Sequence, residues 1–366
     1  MSEQQMSLSV TPLHQQHLSL GALMAPFGGW DMPIQYEGIL AEHRWCREQA
    51  ALFDICHMGE FLFKGDIRTS GLEDMFTFSV TAIPVGRSKY GFLLNEQGGI
   101  IDDLIVFRFA EHEAMIVVNA ATTPHDFQVI RSRLQGGELV NISAATAKLD
   151  LQGPKSREVL TAICGEQVAQ LPYFRFCPLD LLGVPVIVSR TGYTGELGYE
   201  IFLPAGKVAE LWERLLADER VRPAGLGARD LLRLEVGYSL YGSDLDEQTT
   251  PLEAGLEGFV NFDKSFVGKE ALMVQRAQGV SRRKVAFTVN SRRAPRHGYL
   301  IQADGRTIGE VTSGVFSPML GCGIGMGYVE SAHADLGGAL NVCQDRVTLD
   351  ATVCGLPFYT GGSLRS

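Results

Sequence analysis

Apolar residues recur at helical spacing in three stretches of the chain, a pattern typical of amphipathic helices. The first stretch is predicted to begin at Thr123, as the N-cap before Pro124, and to end at Gly136. The second carries its apolar stripe over residues 208–216, and the third begins near Leu226. Each is long enough to cover one face of a sheet.

Segments rich in β-branched and aromatic residues predict strands. They lie at 104–109, 114–119, 184–190 and 199–203, and then at 284–290, 307–312, 325–329 and 346–353. Helical signals nearly vanish after residue 282, so the last part is predicted to be a β-barrel or sandwich. Before it, helices and strands alternate irregularly, which favours an α+β fold over a regular βαβ series. We therefore expect a two-part chain, 1–279 and 280–366.

Length and composition indicate an ordinary multidomain protein. The chain has 366 residues, more than one typical core accommodates, with 45% apolar and 20% charged residues. No apolar run is long enough to span a bilayer, and the first residues resemble neither a secretion signal nor a transit peptide. We expect a cytoplasmic protein without a membrane partner. The seven scattered cysteines form no C-x-x-C pair, which argues against a zinc site and a disulfide framework.

The net charge of −10 makes nucleic-acid binding an unfavoured function. One basic cluster stands out within residues 282–297, where five arginines, Lys284 and His297 lie close together in sequence. Such a cluster can steer an acidic partner or a polyglutamate tail. A solvated face is the simpler interpretation and is favoured.

Two adjacent carboxylates, Asp102 and Asp103, follow the pair Gly98-Gly99 and open an apolar strand. Neighbours in a strand point to opposite faces, so one Asp can be solvated while the other points inward. An inward carboxylate beside a ligand amine can accept a proton or a hydrogen bond. From these residues alone, turn-capping aspartates are the favoured interpretation.

A glycine-rich hairpin, residues 189–200, contains Tyr193 and leads into Glu200. Its three glycines allow positive φ or close approach to a ligand. Tyr193 is suited to stacking on a planar heterocycle, and a carboxylate can accept two hydrogen bonds from an aminopyrimidine edge. A simple hairpin with a surface Glu fits the sequence at least as well.

Arg229 lies in the first turn of the third predicted helix, after a Gly-Leu-Gly turn. A guanidinium recognises carboxylates through a fixed fork of donors. The alternative is an internal ion pair with Asp230, Glu235 or a carboxylate elsewhere. The residues favour neither interpretation.

Taken in order, eight stretches resemble the aminomethyltransferase (T-protein) family of the glycine cleavage system. The resemblance runs from about Thr11 to the C-terminus and is carried by 27–33, 54–60, 98–106, 190–196, 223–230, 240–247, 266–272 and 312–318. One such stretch is weak evidence, but eight in register are highly specific. The resemblance implies a multidomain cloverleaf, in which two α+β folate-binding domains and a C-terminal β-barrel surround a central channel.

The resemblance also implies roles for individual residues. Asp103 would face the reacting nitrogens of tetrahydrofolate, the one-carbon acceptor, while Glu200 and Arg229 bind the folate. Further pocket positions match Met58, Tyr90, Asn119 and Tyr193. The C-terminal tail departs from the family pattern: Tyr359 and Arg365 are both candidates for a last folate contact, and Arg365 is assigned to the site.

The implied reaction moves a one-carbon unit from an aminomethyl-dihydrolipoyl carrier, the H-protein, to tetrahydrofolate and releases ammonia. One alternative is a folate-dependent demethylase of the same superfamily, which would take a methyl group from another donor. A non-enzymatic folate-binding protein would carry a Lys-Gly-Cys-Tyr signature, but here the matching stretch, Arg190 to Tyr193, lacks the Cys.

Overall fold

The computed structural model describes residues 8–181 and 183–364. These residues form three β-sheets, a closed β-barrel and eight α-helices. The helices are α1 (His14–Ser19), α2 (Ile39–Glu48), α3 (Thr123–Arg133), α4 (Ser156–Cys164), α5 (Glu166–Ala169), α6 (Val208–Leu216), α7 (Leu226–Glu235) and α8 (Lys269–Gln278). None of them is long and apolar enough to cross a membrane.

The smallest sheet lies at the N-terminal end of the chain. It contains β1 (Ser9–Val10), β2 (Leu23–Phe27) and β3 (Trp30–Gln35), in the order β1-β3-β2. Gly28 and Gly29 both have positive φ, 56° and 87°, and form the turn between β2 and β3. Trp30, whose residue type favours a core position, is only partly buried because it begins a strand of this thin sheet.

Two larger sheets make up most of the first part of the chain. The six-stranded sheet contains β4 (Ala50–Asp54), β10 (Thr146–Gln152), β11 (Phe176–Leu181), β12 (Val184–Ser189), β13 (Gly198–Pro204) and β14 (Val221–Pro223), in the order β11-β12-β13-β10-β4-β14. The five-stranded sheet contains β5 (Gly59–Lys64), β6 (Arg87–Leu94), β7 (Ile100–Ala110), β8 (Glu113–Val118) and β9 (Glu138–Asn141), in the order β6-β7-β8-β5-β9. The chain thus leaves the six-stranded sheet after β4, builds the five-stranded sheet, and returns with β10.

Apolar side chains hold these sheets together. Leu149, Tyr199 and Trp212 belong to the core between the six-stranded sheet and α6. A separate cluster that includes Phe107 and Phe202 packs the two large sheets against each other, with ring centroids 5.4 Å apart. This contact brings β7 and β13 face to face, and candidate site residues lie on both of these strands.

The last part of the chain is a closed barrel. Its strands are β15 (Arg282–Val289), β16 (Leu300–Ala303), β17 (Arg306–Ser317), β18 (Cys322–Glu330), β19 (Ala339–Gln344) and β20 (Val347–Cys354), in the order β15-β18-β17-β16-β19-β20. Arg233 of α7 connects the barrel to the rest of the molecule, because its guanidinium donates to Asp244 at 2.7 Å and to Ser313 of β17 at 2.8 Å. The helix that carries Arg229 is therefore fixed from both sides.

The α+β fold with a C-terminal barrel is confirmed. Four barrel strands match predicted segments, whereas β16 and β19 were not predicted. Thr123 as an N-cap is wrong: helix α3 already includes it, and its hydroxyl donates to the carbonyl of Asn119 at 2.9 Å. The division of the chain at residues 279 and 280 stays a prediction.

Candidate functional site

Asp103 is held by two neighbours on the five-stranded sheet. The Tyr90 hydroxyl donates to Oδ2 of Asp103 at 2.9 Å, and the amide nitrogen of Asn119 donates to Oδ1 at 2.9 Å. Asn119 follows the end of β8, so three adjacent strands position one carboxylate. These three predicted site residues are thus brought together.

Asp102 is the neighbour of Asp103 on β7 and is fully buried. Its Oδ2 accepts from the backbone N–H of Asn119 at 2.9 Å, and its Oδ1 accepts from the Asn119 amide at 2.8 Å. Asp103 is only partly buried, so Asp102 is the more deeply buried of the pair. The favoured interpretation as turn caps is wrong, because both aspartates lie within β7 and accept from Asn119. Asp102 fixes the end of β8, and through Asn119 it also fixes Asp103.

Burial has the largest effect on the pKa values of Asp103 and the carboxyl groups near it. Burial raises the pKa of Asp103, and the hydrogen bonds from Tyr90 and Asn119 work in the opposite direction. Burial, with the nearby Asp126 and Asp103, raises the pKa of Asp102 well above its ordinary value. Burial likewise raises the pKa of Asp126 to about 7. Three carboxyl groups with raised pKa values lie near one another, so the protonation of each depends on that of the others.

Tyr193 lies between this carboxylate group and the predicted folate-binding charges. Its hydroxyl donates to the carbonyl of Ser239, and its ring stacks on Tyr238 at 25° with centroids 5.8 Å apart. The guanidinium carbon of Arg229 lies 5.1 Å from the centroid of the same ring. Tyr193 is thereby a rigid aromatic surface with a cation beside it.

Glu200 and Arg229 belong to a buried network of four charges, which we call the charge quartet: Lys148, Asp150, Glu200 and Arg229. Lys148 Nζ lies 3.1 Å from Oε1 of Glu200, and Arg229 pairs with Asp150. The Thr191 hydroxyl donates to the other oxygen of Glu200. The interpretation of Arg229 as an internal ion pair is thus confirmed, with a partner that the sequence did not identify. Glu200 is buried, so the surface-Glu alternative is wrong.

Charge pairing keeps Glu200 ionised. Burial by itself would raise the pKa of Glu200, but Lys148, Thr191 and Arg229 outweigh that effect and lower it. Burial raises the pKa of Asp150 to about 6, because Arg229 and Lys148 offset it only in part. Glu200 is therefore the more acidic of the two carboxyl groups in the quartet.

Two further buried groups adjoin the quartet. Burial raises the pKa of Glu60 to about 8 and lowers that of His57 to about 4. Glu60 Oε1 and His57 Nδ1 have no hydrogen-bond partner within the described residues. His57 therefore does not titrate in the physiological range, and Glu60 holds its proton to a higher pH than an ordinary carboxyl group. Met58 lies beside them, with its sulfur 3.5 Å from Lys148 Nζ.

The glycines of the hairpin make room for a side chain of the protein itself. A Cβ on Gly192 or Gly198 would lie 2.2 or 2.1 Å from the Gln152 amide nitrogen. The Gln152 side chain donates to Asp150 at 2.6 Å and accepts from Thr194 at 2.7 Å. The hairpin therefore packs closely against Gln152, and Gln152 in turn holds Asp150 of the quartet in place.

The basic cluster of residues 282–297 does not form one surface. Lys284 points inward and donates to the Ser239 hydroxyl, and burial lowers its pKa to about 8. Arg282 pairs with Glu253 at 3.2 Å and covers the Tyr328 ring. The remaining members, Arg283, Arg292, Arg293, Arg296 and His297, are exposed or partly so. The prediction that the basic cluster is a solvated face therefore holds for these five residues and not for Lys284 or Arg282.

Of the two C-terminal candidates, Tyr359 packs against a buried arginine. Tyr359 is partly buried, with the Arg47 guanidinium 4.5 Å from its ring centroid, and Arg47 pairs with Glu196 and Glu235. These contacts attach the tail to α2 and α7. Arg365 lies outside the described residues.

Sequence reasoning missed Lys148, Asp150 and Glu60. Lys148 and Asp150 alternate with leucines in the segment Thr146–Gln152, a pattern that ordinarily indicates a solvent-facing polar face. Their burial follows from the second sheet that packs over β10. The sequence feature that could have identified them is the presence of two opposite charges, Lys148 and Asp150, in a strand that pairs with β13.

Comparison with known proteins matches nearly the whole chain. A family model described as the GCVT N-terminal domain matches residues 13–264, and the glycine cleavage T-protein C-terminal barrel domain matches residues 282–360. An aminomethyltransferase of Halothermothrix orenii is 44% identical over 353 residues, which is 95% of this chain and 99% of that protein. One from Caldanaerobacter subterraneus subsp. tengcongensis is 41% identical and covers 96% of each chain.

A solved structure agrees with these relatives. The glycine cleavage system aminomethyltransferase T from Bartonella henselae superposes with a TM-score of 0.92 at 35% identity, covering 98% of this chain and 99% of that one. The chain belongs to the glycine cleavage T-protein family. Its activity is that of an aminomethyltransferase in glycine cleavage.

Proposed function

We propose that the chain transfers the aminomethyl carbon of an aminomethyl-dihydrolipoyl H-protein to tetrahydrofolate. The carbon–sulfur bond to the lipoyl arm breaks, ammonia leaves, and the carbon forms bonds to two folate nitrogens. The products are methylene-tetrahydrofolate, ammonia and the reduced carrier. The carbon already lies between sulfur and nitrogen, so it reacts as an iminium-like electrophile and needs no covalent nucleophile from the protein.

In this proposal the folate binds between the five-stranded and six-stranded sheets and contacts residues of both. The pterin lies inward in a channel between the domains, with its amino-pyrimidine N–H groups directed to the buried anion Glu200. Tyr193 supplies a flat face for the heterocycle, and Arg229 supplies a cation at its edge. Met58 adds an apolar, adaptable contact on the same side.

Asp103 acts on the attacking nitrogen of the folate. Hydrogen bonds from Tyr90 and Asn119 hold its carboxylate in one orientation, so it accepts the proton that the nitrogen releases as the new bond forms. The remaining contribution of the protein is to hold nitrogen and carbon together in a water-poor site.

The single observation that carries the proposal is the arrangement around Asp103. A half-buried carboxylate, raised in pKa by burial and fixed by two donors, is the group that proton removal from an amine requires near neutral pH. Arg229 lies over the Tyr193 ring, and Glu200 lies opposite Asp150 in the six-stranded sheet.

The direct test is tetrahydrofolate-dependent ammonia release from an aminomethylated lipoyl carrier. We expect ammonia and methylene-tetrahydrofolate in equal amounts, and no product without folate. Release of a methylated folate from a methyl donor, with no ammonia, would instead identify a demethylase. Folate binding without either product would identify a non-enzymatic binding protein.

A further inference from the structure

Strand β10 places three polar side chains on one buried face. Lys148, Asp150 and Gln152 alternate along the strand, so they share a side, while Leu149 and Leu151 face the core beneath α6. The neighbouring strand β13 contributes the partners. Asp150 lies directly opposite Glu200 in the antiparallel register, and Lys148 lies opposite Phe202.

This register puts two carboxylates against each other. Like charges directly opposite in a sheet repel, and burial increases the cost. The arrangement is stable only because each anion has a cation: Lys148 reaches diagonally to Glu200 at 3.1 Å, and Arg229 approaches Asp150 from α7. Lys148 is 1% exposed, and its Nζ also lies 5.0 Å from the Phe202 ring centroid.

We propose that Lys148 is a positioning residue for the folate substrate, which keeps Glu200 anionic and fixes the orientation in which its carboxylate receives the pterin. This inference rests on the proposed function, in which Glu200 accepts hydrogen bonds from the amino-pyrimidine edge. Lys148 Nζ lies 3.1 Å from Oε1 of Glu200, and the Thr191 hydroxyl donates to Oε2. Each carboxylate oxygen has two lone pairs, so both can still accept a hydrogen bond from the ligand.

The chemistry of the pterin edge explains why the charge matters. Its two N–H groups are donors, and an ionised carboxylate presents two acceptors to them. A protonated Glu200 would direct its own O–H toward one of those donors and lose that hydrogen bond. Without a cation beside it, a buried carboxylate takes up a proton near neutral pH.

Groups on every surrounding element bear on Glu200. Lys148 and Asp150 face it from β10, Arg229 from α7, Glu60 from β5, and Tyr173 from the loop before β11. Arg229 is shared with Asp150, and Glu60 adds a carboxyl group. If Lys148 is lost, no other cation around Glu200 can therefore take its place.

The test compares binding of 5-formyltetrahydrofolate, a stable analogue, to wild type, Lys148→Met and Lys148→Arg by calorimetry across mildly acidic to mildly alkaline pH. We expect Lys148→Met to bind about tenfold or more weakly near neutral pH. The ratio of its Kd to that of wild type should grow as pH falls, because protonation of Glu200 then competes with binding. Lys148→Arg should restore both affinity and the wild-type pH profile.

A second comparison separates positioning from general scaffolding. Glu200→Gln removes the ionisable partner, so adding Lys148→Met to it should cost no further affinity. A constant Kd ratio at all pH values, or fully additive losses in the double variant, overturns the role of Lys148. Lys148→Gln enters the same comparison if Lys148→Met does not fold. Absence of folate binding in wild type refutes the proposed function itself and is distinguishable from both results.

Discussion

Tyr90 and Asp103 are diagonal neighbours across β6 and β7, and the phenol of one donates to the carboxylate of the other at 2.9 Å. The residue directly opposite Asp103 is Phe92, which lies two positions from Tyr90 on the same face of β6. A second donor, Asn119, holds the other carboxylate oxygen from the end of β8. The carboxylate is thus fixed by the sheet itself, and its proposed role as a base can be tested one donor at a time.

Asp103→Asn is expected to lower kcat by about 10²- to 10⁴-fold, the usual contribution of a general base. Folate affinity should change far less, because Glu200 and Arg229 are untouched. Steady-state kinetics with an aminomethylated carrier, together with calorimetry, measure both effects. Asp102→Asn serves as the matched control on the adjacent position and should reduce turnover much less. Turnover of Asp103→Asn equal to wild type would remove Asp103 from the mechanism.

Tyr90→Phe is expected to move the acidic limb of the kcat profile to higher pH. The Tyr90 hydroxyl counteracts the effect of burial on Asp103, so its loss raises the pKa of that carboxyl further. The base form then exists only at higher pH, while the limiting rate at alkaline pH stays close to wild type. A pH–rate series for both proteins measures the shift. An unchanged limb would show that the carboxylate titrates independently of Tyr90.

Arg229→Ala is expected to weaken folate binding by about ten- to a hundredfold. The variant removes the cation over the Tyr193 ring and leaves the buried Asp150 without its ion-pair partner. Arg222→Ala is the control, since this exposed arginine pairs with Glu37 at the surface. Calorimetry with tetrahydrofolate should show near wild-type affinity for the control. Equal affinities of both variants would argue against a role for Arg229 in binding.

Gly198→Ala is expected to lower the free energy of unfolding by about 1–3 kcal/mol, because the new methyl group would lie 2.1 Å from the Gln152 amide. Displacement of Gln152 also removes a 2.6 Å hydrogen bond to Asp150, so folate affinity should fall. Gly206→Ala, which meets no atom within 4 Å, controls for the loss of backbone freedom. Denaturant unfolding of both variants decides the matter. A stability loss no larger than that of the control would contradict the crowding argument.

Asp126→Asn is expected to flatten the pH dependence of stability. Burial raises the pKa of Asp126 to about 7, so the folded chain keeps a proton that the unfolded chain releases above about pH 4. The free energy of unfolding therefore falls as pH rises through that window, by at most a few kcal/mol. The variant lacks this loss, so its stability relative to wild type should increase from pH about 4 to 7 and then level off.

Denaturant unfolding of wild type and Asp126→Asn at several pH values measures this difference. The exposed Asp263→Asn controls for the change in net charge, and its effect on the free energy of unfolding should stay small. A stability difference between Asp126→Asn and wild type that does not vary with pH would be incompatible with the raised pKa.

The part of the fold that can be predicted well from the sequence is the part governed by local periodicity. The stripe over Val208–Leu216 specifies α6 because one face of that helix must cover a sheet. Lys148 and Asp150 could not be assigned in this way. Their alternation with leucines is typical of a half-exposed strand, and only the packing of a second sheet, distant in sequence, makes that face an interior one.

The residue pattern around Asp102 and Asp103 likewise predicts opposite faces, but not that Asp102 is fully buried while Asp103 is only partly so. Which face is solvated depends on what packs there, and Asp126 of α3 lies close to Asp102, which is fully buried. A helix that begins some twenty positions further along the chain leaves no mark on the local pattern of the strand, so this burial could not be predicted.

The partner of Arg229 could not be identified from the sequence for a related reason. The carboxylates near it in sequence, Asp230 and Glu235, pair with other arginines at 2.8 and 2.7 Å. Arg229 pairs instead with Asp150, which β10 brings close from far away in the chain. Proximity in sequence therefore suggests the wrong partners for Arg229, because its actual partner depends on the order of strands in the sheet.

Strand β4 pairs with β10 on one side and β14 on the other, and all five of its residues are buried. Both partners are synthesised long after it, since the whole five-stranded sheet comes between β4 and β10. A nascent chain on the ribosome therefore carries an unpaired apolar strand until Thr146 has emerged. Truncation before that point leaves a segment suited to chaperone binding or aggregation, whereas the five-stranded sheet can already form.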